Sequence, residues 1–263
     1  MENAIIAKPE EVTIPILVSV PHAGTAIPED AVDLVADPNV LYQHTDFYID
    51  KLYDFVAGKG GILIKTQIQR CIIDVNRDKD GAEQVTKDPR QGLVWMTTKN
   101  EEQIHKRALS QEELDERISK YYDPYHSILQ EQIHYIKSKF GYVVVIEGHS
   151  MPSVGGKLDK DSGKKRPDIV VGDFDGKSCS QEITKLVINH FVSRGYTVSL
   201  NWPFKGGFIT RKYGKPKKDI HVVQIELNKS IYMNEDTREV TERLSRTRND
   251  LSELVNSFSR RIK

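Results

Sequence analysis

Two histidines occupy positions where a metal site can be built. Pro21-His22-Ala23-Gly24 follows the apolar run Ile14-Pro15-Ile16-Leu17-Val18-Ser19-Val20, and Glu147-Gly148-His149-Ser150 follows Val143-Val144-Val145-Ile146. Each run reads as a buried strand. In an open α/β sheet, ligands bind outside the carboxyl ends of the strands, so a histidine just past each of two strands can converge on one crevice. A lone histidine after a strand is usually a turn residue or a satisfied core group. Two of them, each beside a glycine and short polar residues, point to a shared metal.

A catalytic zinc takes three protein ligands and leaves its fourth position to water. Asp46 and Asp50, in His44-Thr45-Asp46-Phe47-Tyr48-Ile49-Asp50, supply the candidates for the third. Four apart near a helix start, both can face one cleft, although Asp46 or Thr45 could equally cap that helix. Hydrolysis also needs a carboxylate free of metal to move the proton of the attacking water. Glu226, in the otherwise apolar Val222-Val223-Gln224-Ile225-Glu226-Leu227-Asn228, is the first candidate, because a buried charge there is costly unless it faces a polar cavity. Glu147 is its rival, with the alternative role of orienting His149; for either, a buried ion pair is the plainer reading. Arginine suits a carboxylated substrate, since its planar fork bonds both oxygens and keeps its charge. Arg70 and Arg77 bracket the run 71–76, and Arg211 ends Gly206-Gly207-Phe208-Ile209-Thr210-Arg211, so these three stand out from the surface cations.

The elements that would position these groups alternate between apolar β-branched runs and helical periodicity, which argues for a wound α/β sheet. Strands are expected at 14–20, 61–66, 70–75, 142–146, 168–172, 196–200 and 221–227. Helices are expected at 42–57, from 110 to about 140 with a bend near Pro124, at 180–193 and, amphipathic and charged, at 237–262. Ser110-Gln111-Glu112-Glu113 has the form of a capping box, and the tyrosines at 121, 122 and 125 read as packing residues. The stretch 78–100 reads as an irregular excursion, and 150–166 and 202–219, rich in Gly, Pro and Lys, as loops.

The chain of 263 residues suits one large domain spanning 1–263, with no internal repeat or linker. Lysine plus arginine equals aspartate plus glutamate at 38 each, which leaves no field for a polyanion, so nucleic acid is not an expected partner. The basic cluster 157–166 is mixed with aspartates and reads as a solvated, flap-like loop. No run is long enough to span a bilayer, and the N-terminus lacks a cationic region ahead of an apolar stretch, so a cytoplasmic location is expected. Cys71 and Cys179 have neither metal-ligand nor disulfide spacing and read as buried thiols. Oligomeric state leaves no trace in the sequence.

Taken together, Pro21-His22-Ala23-Gly24, Thr45-Asp46 with Asp50-Lys51-Leu52-Tyr53, Ile73-Asp74-Val75-Asn76-Arg77, Glu147-Gly148-His149-Ser150-Met151-Pro152-Ser153, Arg166-Pro167-Asp168-Ile169, Gly206 to Arg211 and Gln224-Ile225-Glu226-Leu227-Asn228 resemble the N-formylglutamate amidohydrolase family. The resemblance runs from residue 14 to about 235, in the family's order; each motif alone is weak, and the combination is specific. That family looks related to the zinc carboxypeptidases, which implies a three-layer α/β/α fold around a mixed central sheet (phosphorylase/hydrolase-like) and one hydrolytic zinc. The resemblance makes His22 and His149 ligands, Glu226 the general base and acid, and Asn76 with Arg77 the clamp on the substrate carboxylate. By the same resemblance Arg70 polarises the scissile carbonyl or holds an oxyanion, and Arg211 grips a second carboxylate. The glutamate ligand of the carboxypeptidase pattern is missing, since Thr25 stands three residues after His22, and Asp46 is its substitute, with Asp50 the competing choice.

The expected activity is therefore hydrolysis of N-formyl-L-glutamate to glutamate and formate, the last step of a histidine-degradation route, with zinc or another divalent metal. Within the class, another small N-acyl amino acid is the alternative substrate. From a different class, the alternative is a catalytically silent module that binds carboxylated metabolites through Arg77 and Arg211.

Overall fold

A computed structural model of the chain describes residues 3–81, 85–86, 92–98 and 101–261. The strands are β1 (Ala4–Ala7), β2 (Ile16–Val20), β3 (Ile62–Thr66), the two-residue pieces β4 (Val85–Thr86) and β5 (Val94–Trp95), β6 (Val143–Met151), β7 (Ile169–Gly172), β8 (Val198–Leu200) and β9 (Ile220–Asn228). The helices are α1 (Glu29–Val32), α2 (Pro38–Tyr42), α3 (Ile49–Leu52), α4 (Gln111–Arg117), α5 (Asp123–Phe140), α6 (Gln181–Val192), α7 (Phe208–Tyr213) and α8 (Arg243–Arg261).

Seven strands form one mixed sheet in the order β1-β3-β2-β6-β9-β7-β8. β3, β2, β6 and β9 run parallel, while β1 and β7 are antiparallel to their neighbours β3 and β9. Parallel strands must be covered on both faces, which is why these read as continuous apolar runs rather than alternating ones. One face, through Leu17, Ile64, Val145 and Val222, packs on Tyr122, Tyr125, Leu129 and Ile133 of the α4–α5 arm and on the segment around Ile72 and Trp95. The other face, through Val18, Ile146, Val223 and Ile225, packs on Ile49 and Leu52 of α3, Val187 and Phe191 of α6, and Leu251, Val255 and Phe258 of α8. The result is the three-layer α/β/α architecture with a mixed sheet.

Several expected elements differ in the structure. Residues 70–75 form turns, not a strand: Ile72 and Arg77 bond back to Gln69 and Asp74, while Asp74 and Cys71 bond across to 93–95. Their apolar side chains are core material without a ladder. The helix expected at 42–57 reduces to α3 and a 3₁₀ stretch, Asp54–Lys59. Asp46 precedes α3, and Tyr48, at φ 64, turns the chain between Asp46 and Asp50. The bend near Pro124 is a π-helical turn, Ile118–Tyr122, continuous with α4 and α5, where Asp123 N reaches back five residues to Ile118 O just ahead of the proline. α7 lies inside the expected loop 202–219. The stretch expected to be irregular, 78–100, falls partly outside the described residues. The loop containing 157–166 is solvated at Lys157, Lys160 and 162–165, as expected, but its end is tied down: the Arg166 side chain is 1% exposed and pairs with Asp161 and Asp159 at 2.7 Å each. Cys71 and Cys179 are buried free thiols, and no helix among the described residues is long and apolar enough to cross a membrane.

Candidate active site

The carboxyl ends of β2, β6 and β9 share one edge of the sheet. His22 leaves the end of β2. Glu147 and His149 alternate to one face within β6, which runs on through its polar end rather than stopping at Ile146. Their register partners on β9 are Gln224 and Glu226, so His149 and Glu226 are direct cross-strand neighbours. A cavity of about 590 Å³ opens over this edge, lined among others by His22, Asp46, Arg70, Asn76, Arg77, Trp95, His149, Arg211, Gln224, Glu226 and Lys229.

His22, Asp46 and His149 form a buried cluster whose potential donor atoms all lie within 4.8 Å of one another. His22 Nδ1 is 3.0 Å from His149 Nδ1; Asp46 Oδ2 is 3.1 Å from His149 Nδ1 and 3.6 Å from His22 Nδ1. Donor atoms about 2.0–2.2 Å from a tetrahedral ion stand about 3.2–3.6 Å apart, so these separations approach the edges of one coordination tetrahedron. The far ring nitrogens are held by carboxylates: His22 Nε2 lies 2.8 Å from Asp74 Oδ1, and His149 Nε2 lies 2.7 Å from Glu147 Oε1. Such outer carboxylates fix the tautomer that carries hydrogen on Nε2 and turns the Nδ1 lone pair inward. Two inward lone pairs at 3.0 Å need a cation or a proton between them, and the donor set fits a divalent metal.

Electrostatics point the same way. Burial opposes charge on His149, but its hydrogen bonds with Asp46 and Glu147 overcome this and raise its pKa to about 10. Burial and the nearby Arg70 charge push His22 the other way, below its ordinary value. Asp46 titrates well below the usual carboxylate range, because hydrogen bonds from His149 and His22 outweigh its burial. Asp74, despite complete burial, is also held far down by the Arg70 and Arg77 charges.

The two competing aspartates separate clearly in space. Asp46 joins the histidines, whereas Asp50 pairs with Lys65 at 2.6 Å in a partly exposed position. The two competing glutamates also differ in surroundings. Glu147 Oε1 accepts from His149 and from Asn76 Nδ2 at 2.5 Å, and Oε2 accepts from Thr210 Oγ1; burial opposes its charge, but the bond and charge of His149, with the Thr210 bond, lower its pKa. Among the described residues Glu226 accepts one hydrogen bond, from Gln224 Nε2 at 2.9 Å. Burial, reinforced by the charges of Asp46 and Glu147, raises it to about 7 against the opposing pull of His149 and Arg70.

Asn76 uses both ends of its amide inside the protein, since Oδ1 accepts from Ile209 N at 2.8 Å while Nδ2 serves Glu147. Asn76 also lines the cavity beside Arg77. The close approach explains Gly207, where a Cβ would sit 2.3 Å from Asn76 Nδ2. Arg70 donates to Asp74 Oδ2 at 2.7 Å and stacks on Trp95, 4.8 Å from its ring centre. Arg77 donates to Asn76 O. Among the described residues, the buried Nε atoms of Arg70 and Arg77 have no hydrogen-bond partner. Arg211 reaches the same cavity from α7.

Asp74, Thr210, Gln224 and Lys229 received no assignment from the sequence. Asp74 was visible within Ile73-Asp74-Val75-Asn76-Arg77, flanked by Arg70 and Arg77 at helix-like spacing; the others carried no distinguishing signal.

A sandwiched mixed sheet whose parallel strands end in a histidine–carboxylate cluster, beside a buried carboxyl group and three cavity-lining arginines, has the construction of a hydrolytic enzyme of the amidohydrolase kind. A profile of the N-formylglutamate amidohydrolase family matches residues 14–233. The chain is 33% identical over 225 residues to an N-formylglutamate deformylase of Pseudomonas putida, covering 84% of this chain and 83% of that protein. It is 32% identical over 227 residues to an N-formylglutamate deformylase of Pseudomonas aeruginosa, again covering 84% and 83%. The crystal structure of an N-formylglutamate amidohydrolase from Ralstonia eutropha superposes with a TM-score of 0.88 at 31% identity, over 98% of this chain and 97% of that one. The chain belongs to the N-formylglutamate amidohydrolase family.

Proposed function

We propose that the protein, acting as one catalytic domain, is a zinc-dependent N-formylglutamate deformylase that hydrolyses the formyl amide of N-formyl-L-glutamate to glutamate and formate. Family membership and the two deformylase relatives support the substrate, and the imidazole and carboxylate donors support zinc or a similar divalent ion. Such an activity suits the terminal step of histidine degradation in the cytoplasm.

His22, Asp46 and His149 would hold the ion, with Asp74 and Glu147 keeping the imidazoles in register. When bound, the ion supplies Lewis acidity and makes a water easier to deprotonate. Glu226 then takes the proton of the attacking water through its unbonded oxygen and returns it to the nitrogen as the carbon–nitrogen bond breaks. A carboxyl group that titrates near 7 is suited to both transfers. Arg70 faces the developing negative oxygen, and Arg77 and Arg211 take the substrate carboxylates. Asn76 holds Glu147 and α7 in place.

The observation that carries this reading is the pairing of His149 with Glu226 across β6 and β9, which sets an under-bonded carboxyl group beside the donor cluster. The test is Glu226→Gln. Substrate binding and metal content should persist while formate release falls by about 10²–10⁴-fold, the usual span for a general acid–base group. Undiminished turnover would remove Glu226 from its role. Absence of turnover in the parent protein with zinc and a panel of N-acyl amino acids would favour the silent binding module.

A further inference from the structure

Lys229 follows β9 directly and is 7% exposed. Its ammonium donates one hydrogen bond, to Thr45 O at 2.9 Å, and forms no ion pair among the described residues. An ammonium carries three donors, so two remain without an acceptor among the described residues; the charges of Asp46 and Glu235 act on it, but neither carboxylate bonds it. The side chain also stands at a boundary. Together with Gln43 and Pro152, it lines both the main cavity and a second cavity of about 170 Å³.

The side cavity is suited to a small anion. Beyond Lys229 its charged groups are Arg238 and Glu235. Arg238 lies over the rings of Tyr42 and Phe47, at 5.9 and 5.8 Å, and has no ion pair among the described residues. Glu235 is anchored by one shared donor, Ser153 N, 3.1 Å from each of its oxygens. Two cations thus line the cavity with one carboxylate, which leaves it a net positive charge. The volume is under a third of the main cavity, which favours an ion of a few heavy atoms over an amino acid.

We propose that Lys229 and this side cavity bind the small carboxylate product and conduct it away from the reaction centre, separately from the larger amino-acid product. The proposal rests on the deformylase reading, in which that product is formate. Lys229 adjoins the cluster through Thr45, the residue before Asp46, so formate released there has a cation to move to.

Product inhibition by sodium formate tests this in the metal-loaded parent, Lys229→Met and Arg238→Gln proteins. Loss of one hydrogen bond to a charged group should raise the formate inhibition constant about tenfold or more in Lys229→Met. A smaller rise is expected in Arg238→Gln, with inhibition by glutamate unchanged in both. Formate constants equal to the parent's in both variants overturn the proposal. It is also overturned if Lys229→Met loses metal in proportion to its loss of formate sensitivity, because Lys229 would then be a brace for the Asp46 segment. Should Lys229→Met fail to fold, Arg238→Gln, altered at the partly exposed end, decides alone. If the parent releases no formate from N-formylglutamate, the deformylase reading fails. Formate-induced thermal stabilisation of the parent and Arg238→Gln proteins then tests the anion site separately, and an equal shift in the two overturns it.

Discussion

Replacing Asp74 with asparagine probes the reasoning most directly, because this carboxylate supports both the donor cluster and the arginines. Asp74 is fully buried; Oδ1 meets His22 Nε2 at 2.8 Å and Asn76 N at 2.9 Å, and Oδ2 meets Arg70 Nη2 at 2.7 Å, with Arg77 Nη1 at 3.6 Å. An asparagine keeps one acceptor, so either His22 or Arg70 must face an NH₂ group, and two guanidinium groups lose their counter-charge. Breaking a buried charge pair from one side costs about 3–5 kcal/mol, so the metal-free variant should lose that much stability. Loss of a carboxylate that orients a ligating histidine weakens metal affinity by about 10–100-fold, or about 1.4–2.7 kcal/mol. At equal saturating free zinc, linkage adds this second loss to the first. Guanidinium denaturation of the metal-free and zinc-loaded proteins gives both quantities, and competition with a chromophoric chelator measures the affinity independently. Equal losses in the two forms would refute the claim that Asp74 acts through His22. Asp50→Asn is the control: its partly exposed pair with Lys65 predicts a change below about 1 kcal/mol and no change in metal affinity.

Two further predictions follow from the same geometry. Glu226 has a folded-state pKa of about 7 against an ordinary 4.5, so in the metal-free protein its contribution to stability is full below about pH 4.5 and is lost as pH rises through 7. The whole loss is about 3 kcal/mol at about 1.4 kcal/mol per unit, of which denaturation at pH 5 and pH 8 should show about 2.5 kcal/mol in the parent and none in Glu226→Gln; identical slopes would contradict the assignment. Arg166→Gln leaves Asp159 and Asp161 without their buried partner on the loop that walls the cavity. Proteolysis within 153–166 should accelerate and KM for N-formylglutamate rise more than kcat falls, whereas unchanged cleavage would show that the ion pair does not hold the loop.

The α/β alternation, the strands of the sheet and α5, α6 and α8 are legible because burial on both faces demands long apolar runs and a half-buried helix demands its period. The elements that escaped are those governed by polar contacts. The run 70–75 has the composition of a strand, yet Arg70 and Arg77 must both reach Asp74, and residues four apart in a strand stand about 13 Å apart along it, so the backbone closes into turns instead. The shortness of α3 likewise follows from the left-handed turn at Tyr48, which nothing in a tyrosine announces.

By itself, the sequence determined that histidines follow two buried strands, that acidic and basic groups suited to amide hydrolysis of a carboxylated substrate are present, and which family they resemble. These properties depend on residue type and short-range order. Tertiary structure alone separated Asp46 from Asp50, set Glu147 against three donors while leaving Glu226 one, committed the Asn76 amide inside the protein, and left Lys229 buried between two cavities. Each of these outcomes depends on distances between segments far apart in the chain, and a hydrogen bond or an ion pair is decided within a few tenths of an ångström.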